Sequence, residues 1–190
     1  MYKFAAASPK ETIVFGSARP GYSSDRVNEW IKFMQGQNIK HVCCLLSQTQ
    51  LDRYSDLLGI YRQKFGTDRV CWSPIEDFQL ADRQTLTQEI LPFLPNCDYR
   101  QNEKVVVHCS GGIGRTGHVL AAWLVAQRGF SNKTAIETVR KTGRDPYEAV
   151  SFALLKGRNP KKVMAELNAL LDYCRDATET YSPKFIADGQ

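Results

Sequence analysis

The sequence predicts an α/β fold, a central and mostly parallel sheet flanked by helices on both faces, with extra C-terminal helices. Three observations predict it. Short apolar, β-branched runs alternate with helical patterns along the chain. Two of those runs, Ile39–Leu46 and Lys104–His108, are nearly continuous in apolar residues, as strands buried on both faces are. Beyond Arg115 one helical pattern follows another with no further strand between them.

Taken in order, Thr12–Phe15 reads as a first strand, followed by a turn at Arg19-Pro20-Gly21. Asp25 is the expected N-cap of a helix whose buried face is Val27, Trp30, Ile31 and Met34, ended by Gly36 and Asn38. After the Ile39–Leu46 strand, Leu51, Tyr54, Leu57, Leu58, Tyr61 and Phe65 keep one helical spacing up to Gly66. Arg69–Trp72 is a short strand, and Leu80–Leu91 a helix that Pro92 and Pro95 end or break. Lys104–His108 is the clearest strand, and a glycine-rich turn leads from it into Arg115–Arg128, apolar nearly all round and hence a core helix. Ser131 caps a helix to about Lys141, and Pro160 opens the last one, striped by Val163, Leu167, Leu170, Leu171 and Cys174. No repeat is present, so residues 1–177 are expected to form one domain and 178–190 a flexible tail.

The chain has 190 residues, of which 43% are hydrophobic and 24% charged, which excludes a largely disordered protein. Its net charge of +5 is spread out, without the basic run of a nucleic-acid arm. The longest apolar stretches, such as Val119–Ala126, are too short to span a membrane, and no signal-peptide core is present. The expectation is a cytoplasmic protein with no nucleic-acid or membrane partner. Of its six cysteines, Cys43, Cys44 and Cys71 fall in strands, Cys174 on an apolar helix face and Cys97 in a loop, and these five read as reduced packing thiols.

The sixth stands apart. His108-Cys109-Ser110-Gly111-Gly112-Ile113-Gly114-Arg115-Thr116-Gly117 lies between the best strand and the most buried helix. Ligands in open α/β sheets bind at the carboxyl ends of strands. Amides of a glycine-rich turn converge on an anion, and the helix start behind them adds donors and a positive dipole end. Arg115 supplies a planar, two-pronged contact to phosphate oxygens. Cys109 sits at the mouth of this nest, where its surroundings favour the nucleophilic thiolate. One turn thus binds a tetrahedral oxyanion and presents a nucleophile to its central atom, which points to phosphoryl transfer onto cysteine and subsequent hydrolysis.

These residues match H-C-x-x-G-x-x-R-[ST]-G at His108, Cys109, Gly112, Arg115, Thr116 and Gly117, and the segment resembles the signature loop of the cysteine-dependent protein tyrosine phosphatase superfamily. The looser similarity, over roughly residues 12–149, is to the small dual-specificity phosphatases. The resemblance implies that Cys109 becomes the phosphocysteine. Arg115 and the amides of Ser110, Gly111, Gly112, Ile113, Gly114 and Arg115 would hold the phosphate. Thr116 would stabilise the departing thiolate, and His108 would orient the loop. The family also uses an Asp as general acid and then base. Pro74-Ile75-Glu76-Asp77 resembles its Pro-Ile-x-Asp pattern, 32 residues before Cys109, and assigns the role to Asp77 over Glu76 and Asp82. No metal or other cofactor is implied. The uncharged Ser110, Gly111 and Ile113 contrast with the Lys usual in phosphoinositide phosphatases of the superfamily. A phosphorylated protein or peptide is therefore the expected partner: phosphotyrosine, with phosphoserine or phosphothreonine open. The alternatives are a non-protein substrate (an RNA 5′ phosphate, a phosphoinositide or a nucleotide) and a phosphoprotein-binding pseudoenzyme.

Other readings carry less. Gly112–Gly117 also fits G-x-G-x-x-G, but no second strand follows to place a ribose-binding acid, and no G-K-[ST] follows for a kinase-type P-loop. His41-Val42-Cys43-Cys44 lacks the spacing of a zinc site. Cys43, Cys44 or Cys71 would protect Cys109 as a disulfide only if its strand end approached it. Arg144 and Glu148 either line the pocket rim or form a structural salt bridge, and Arg19 is equally ambiguous. Trp30 and Trp123 are expected in the core.

Overall fold

The computed structural model describes residues 2–94 and 103–181. The sheet consists of β1 (Ala5–Ala6), β2 (Val14–Ala18), β3 (Ile39–Cys44), β4 (Val70–Trp72) and β5 (Lys104–Cys109) in the order β1-β2-β5-β3-β4. Only β1 runs antiparallel; the others are parallel. The late strand β5 therefore sits between the earlier β2 and β3, at the centre of the sheet.

Side chains of β5 alternate between two cores, as the pleat requires. Val106 packs with Val42 and Cys44 against α1 (Ser24–Gly36) and α3 (Leu57–Phe65). Val105 and Val107 pack on the opposite face against α5 (Gly114–Arg128), α6 (Asn132–Lys141) and α8 (Pro160–Tyr181). Trp30 and Trp123 are both fully buried, one in each core. Helix α5, buried along most of its length, is the helix the sequence marks as central. Its far end is tied to the start of β2 by Glu11, whose carboxylate accepts hydrogen bonds from Ile13 N (2.9 Å), Trp123 Nε1 (2.9 Å) and Arg128 Nε (3.0 Å). Burial alone would raise the Glu11 pKa; Arg128 and the other donors bring it below its ordinary value.

Several local expectations are corrected. The first long strand begins two residues late, at Val14, and runs to Ala18. The N-cap of α1 is Ser23, whose side chain accepts from Arg26 N, while Asp25 sits within the first turn. The single helix expected from Leu51 to Phe65 is two, α2 (Gln48–Leu51) and α3, because Asp56 caps a new start by accepting from Gly59 N. The helix expected from Leu80 starts later, since Asp82 accepts from Thr85 N (2.9 Å) and leaves Leu80 and Ala81 in the preceding loop. It then forms a π-helical stretch, Thr85–Ile90, running into the short α4 (Leu91–Phe93). Pro92 lies within this helix instead of ending it, in the first turn of α4, where a proline is tolerated. The short α7 (Glu148–Ser151) and a 3₁₀ turn (Leu154–Lys156) were not expected. Of the proposed tail, α8 takes in residues up to Tyr181, and 182–190 lie outside the described residues, as do Pro95 and the Cys97 loop. No helix among the described residues is long and apolar enough to cross a membrane.

Candidate active site

The site forms where β5 ends. His108 is fully buried between Trp30 and Tyr61, with ring centroids 5.3 and 5.7 Å away, and its Nε2 lies 3.3 Å from the Tyr61 hydroxyl. Burial pushes its pKa down to about 3, and the nearby Arg115 and Arg19 charges act in the same direction, so the ring is neutral at pH 7. Cys109 follows, 2% exposed, at the carboxyl end of the central strand.

The turn from Cys109 into α5 is shaped by what its glycines allow. Gly112 has φ +68°, and a Cβ there would stand 2.6 Å from the backbone of Ser17 and Ala18. The loop therefore lies directly on the end of β2. Arg19 N reinforces this contact by donating to Cys109 O (2.9 Å) and Ser110 O (3.3 Å). At the start of α5, Ile113 provides no side-chain cap, and a Cβ on Gly114 would collide with Glu148. The Glu148 carboxylate reaches the Gly114 backbone; burial, then the charge of Asp77, raises its pKa.

Arg115 is 2% exposed and held from several sides. Its Nη1 donates to Gln50 Oε1 (2.8 Å), Ile75 O (2.8 Å) and, more loosely, Leu45 O (3.4 Å). Its Nη2 pairs with Asp77 Oδ1 at 2.9 Å. Three buried polar atoms of this neighbourhood have no hydrogen-bond partner: Arg115 Nε, Thr116 Oγ1 and His108 Nδ1. Thr116, though buried at the start of α5, thus makes no hydrogen bond to Cys109. An unpaired guanidinium N–H beside a glycine turn, a cysteine and a carboxylate suits a bound oxyanion, since buried donors without partners are costly.

The three candidate acids part company here. Asp77 meets Arg115. Asp82 is occupied as a helix cap on Thr85, and those hydrogen bonds lower its pKa. Glu76 is exposed. The loop carrying Asp77 turns sharply through Phe78, a non-glycine residue with φ +62°, whose ring stacks on Phe152 at 4.2 Å.

Arg144 is buried but belongs to the scaffold: its Nη2 donates to Lys3 O (2.8 Å), its Nη1 to Thr142 O (3.0 Å), and it fills the space above Gly16. Arg19 reaches the loop directly, with Nε 3.5 Å from Ser110 Oγ, while its guanidinium lies over Tyr22. His41 pairs with Glu103 at 2.9 Å, and no group of three or more His, Cys, Asp or Glu suited to a metal occurs among the described residues. No disulfide joins the five described cysteines. Burial pushes the Cys44 and Cys174 thiols up to about 12. Cys71 packs against the core as expected, but it lies beside Cys43 in the β3–β4 register, and a hydrogen bond from Cys43 brings its pKa down to about 7.

Two residues of this neighbourhood were left unassigned by the sequence: Gln50, which accepts from Arg115, and His118. His118 is 1% exposed, and its Nε2 accepts a 3.1 Å hydrogen bond from Ala81 N in the loop that follows Asp77. No spacing rule links residues 37 positions apart, so only the fold reveals the contact.

A family model described as "Dual specificity phosphatase, catalytic domain" matches residues 22–154, a span containing Asp77 and the whole turn from His108 to Gly117. The chain is 28% identical over 138 residues to human "Dual specificity protein phosphatase 5", covering 68% of this chain and 34% of that protein. It is 35% identical over 54 residues to "Dual specificity protein phosphatase OPG106" of vaccinia virus, covering 28% and 31% of the two chains. The chain thus spans about a third of the length of the curated relatives it matches. Among solved structures, "Tk-PTP in the active form" aligns with a TM-score of 0.61 at 26% identity, covering 83% of this chain and 92% of that one. "PTPMT1 in complex with PI(5)P" aligns with a TM-score of 0.67 at 13% identity, covering 93% and 97%, a likeness of fold.

Proposed function

Because the chain belongs to the dual specificity phosphatase family, we propose that it hydrolyses phosphomonoesters on proteins, phosphotyrosine foremost and phosphoserine or phosphothreonine as well, through a phosphocysteine intermediate. One observation carries the reading: a glycine turn at the end of the central strand joins Cys109 to Arg115, and Asp77 is held on that same guanidinium.

In the first step the substrate phosphate occupies the turn, bound by the amides of Ser110 to Arg115 and by the Arg115 side chain. The Cys109 thiolate attacks phosphorus, the bond from phosphorus to the leaving oxygen breaks, and the Asp77 carboxyl gives that oxygen its proton. In the second step the Asp77 carboxylate takes a proton from water as the water oxygen attacks phosphorus. The sulfur–phosphorus bond breaks, Cys109 leaves as thiolate, and inorganic phosphate is released. Arg115 balances the charge on the equatorial oxygens in both steps. The Thr116 hydroxyl, unpaired in the structure, is available to donate to the departing thiolate. His108 is not a proton carrier at neutral pH, because burial keeps it uncharged; it packs the strand end that aims Cys109. Described cysteines without a disulfide fit a reducing, cytoplasmic setting, where a nucleophilic thiol stays active.

Parallel assays on phosphotyrosine and phosphothreonine peptides, an inositol phosphate and a 5′-phosphorylated RNA test the substrate class. Turnover of the peptides, lost in Cys109→Ser, is expected. Exclusive turnover of the lipid-type or RNA substrate, or full activity in Cys109→Ser, overturns the proposal. A phosphoprotein-binding pseudoenzyme would show no burst with a chromogenic phosphate ester.

A further inference from the structure

The loop that bears Asp77 is fastened at both ends by a single helix. At its start, Ile75 O accepts from Arg115 Nη1 at 2.8 Å. At its end, Ala81 N donates to His118 Nε2 at 3.1 Å. Arg115 and His118 stand three residues apart in α5 and so share a helix face. Between the two fastenings the Asp77 side chain remains 45% exposed.

The second fastening is a specific arrangement of one imidazole. His118 also engages the backbone of Gly114, one turn back, which fixes the ring plane and leaves Nε2 as the acceptor toward Ala81. Nε2 can accept only while the ring is neutral, and burial keeps it so, with the pKa pushed down to about 4. The charged group acting on it is Arg115, on its own helix, which in turn pairs with Asp77. A buried amide such as Ala81 N–H must find a partner. Here the partner is a side chain of the helix that carries the phosphate-binding arginine.

We propose that His118 is a positioning residue for Asp77: by holding Ala81 N it fixes the acid-bearing loop relative to the phosphate turn, so that the proton donor and the bound phosphate keep one geometry. This rests on the reading of Asp77 as general acid. General acid catalysis is sensitive to placement, and a displacement of about 1 Å can cost about 100-fold. The chemistry offers a readout that separates positioning of the acid from support of the fold. Phenyl phosphate releases a strongly basic oxygen that needs a proton. 2,4-Dinitrophenyl phosphate releases an oxygen that leaves without one. Damage to the acid slows the first ester selectively, whereas partial loss of fold lowers both rates alike.

The two amide side chains divide the imidazole's contacts. Asn in place of His118 keeps a polar atom where Nδ1 stands and loses the reach to Ala81; Gln places an acceptor where Nε2 stands. His118→Asn is expected to lower kcat on phenyl phosphate about tenfold and on 2,4-dinitrophenyl phosphate less than about twofold. His118→Gln is expected to restore most of the phenyl phosphate rate. Exchange of the Ala81 amide proton should quicken in the Asn variant and not in the Gln variant. His118→Ala is carried in parallel, so that misfolding of one variant leaves the other. Equal losses on both esters, or no loss on either, overturn the proposal. Asp77→Asn, assayed alongside, should show the same selectivity more strongly. If it shows none, the acid assignment itself falls and the role of His118 falls with it; if it does and His118→Asn does not, only the inference about His118 falls.

Discussion

Arg115 Nη2 and Asp77 Oδ1 lie 2.9 Å apart, the cation 2% exposed and the carboxylate 45% exposed. The two partners are therefore unequal. The guanidinium is fixed from beneath by Ile75 O, Gln50 Oε1 and Leu45 O, and the carboxylate approaches it from the solvent side. A phosphate entering the turn meets a cation whose outer face already holds an anion. On the proposed mechanism, binding exchanges one charge-assisted contact for another and frees Asp77 to face the leaving oxygen.

This competition has a measurable consequence. Removing the Asp77 charge should slow turnover and at the same time tighten binding of a plain anion. Half-exposed ion pairs contribute about 0.2–1 kcal/mol, which corresponds to roughly a 1.5- to fivefold change in affinity. Asp77→Asn is expected to lower the inhibition constant for inorganic phosphate by about that factor. An unchanged or weaker inhibition would mean that Asp77 does not compete for Arg115 in solution.

The glycines of the turn are not equivalent. A Cβ on Gly112 meets the backbone of Ser17 and Ala18 at 2.6 Å, in a left-handed conformation; a Cβ on Gly111 meets nothing closer than the Ile113 side chain at 3.8 Å. Gly112→Ala should cost about 1–3 kcal/mol in denaturant unfolding and greatly reduce turnover, because neither β2 nor the loop can give way. Gly111→Ala should stay within about 0.5 kcal/mol of the parent protein. Equal stability of the two variants would show that the loop does not rest on β2.

That contrast also shows where sequence reading reached its limit. The arrangement of the turn was legible because Cys109, the glycines and Arg115 lie within seven consecutive residues between a strand and a helix. Asp77 was legible through its short pattern after β4, and the sheet and its two cores through apolar runs and helical spacing. What did not show were contacts between distant parts of the chain. The space above Gly112 is filled by β2, the space at Gly114 by Glu148, and the end of the acid loop by His118. The break between α2 and α3 was hidden for a related reason: Leu51, Tyr54, Leu57 and Tyr61 keep helical spacing across it, and the local bond from Gly59 N to Asp56 outweighs the periodicity.

His108 and His118 are both buried and neutral, with pKa values pushed from 6.5 to about 3 and about 4. The unfolded chain takes up protons on both as pH falls through about 6.5, and the folded chain does not. Their neutral burial therefore carries no penalty above pH 6.5, and stability is lost progressively between 6.5 and about 4. The slope should approach about 1.4 kcal/mol per pH unit for each histidine. Urea unfolding from pH 7.5 to 4.5 measures it, and His118→Gln should remove about half of the slope. A stability flat across this window would mean that burial holds neither imidazole neutral in the folded protein, and half the slope that it holds only one.

Cys71 offers a test independent of catalysis. Its thiolate accepts hydrogen bonds from Cys43 and from Ser73, whose Oγ is 3.3 Å away, and these lower its pKa to about 7 against the opposing effect of burial. Cys43 is shifted the opposite way, well above 9, because it donates that hydrogen bond and is fully buried. Cys44 and Cys174, at about 12, are likewise protonated at neutral pH. Reaction with iodoacetamide follows the thiolate fraction and access. In a Cys109→Ser background, Cys71 should be the first of these four to be carbamidomethylated, with a rate that is half-maximal near pH 7. Cys43→Ser, which can still donate a hydrogen bond, should preserve most of that shift, while Cys43→Ala should move the midpoint upward toward 9. Peptide mapping by mass spectrometry across pH 6–9 reads the rates residue by residue. A midpoint that stays put in Cys43→Ala would transfer the effect to Ser73.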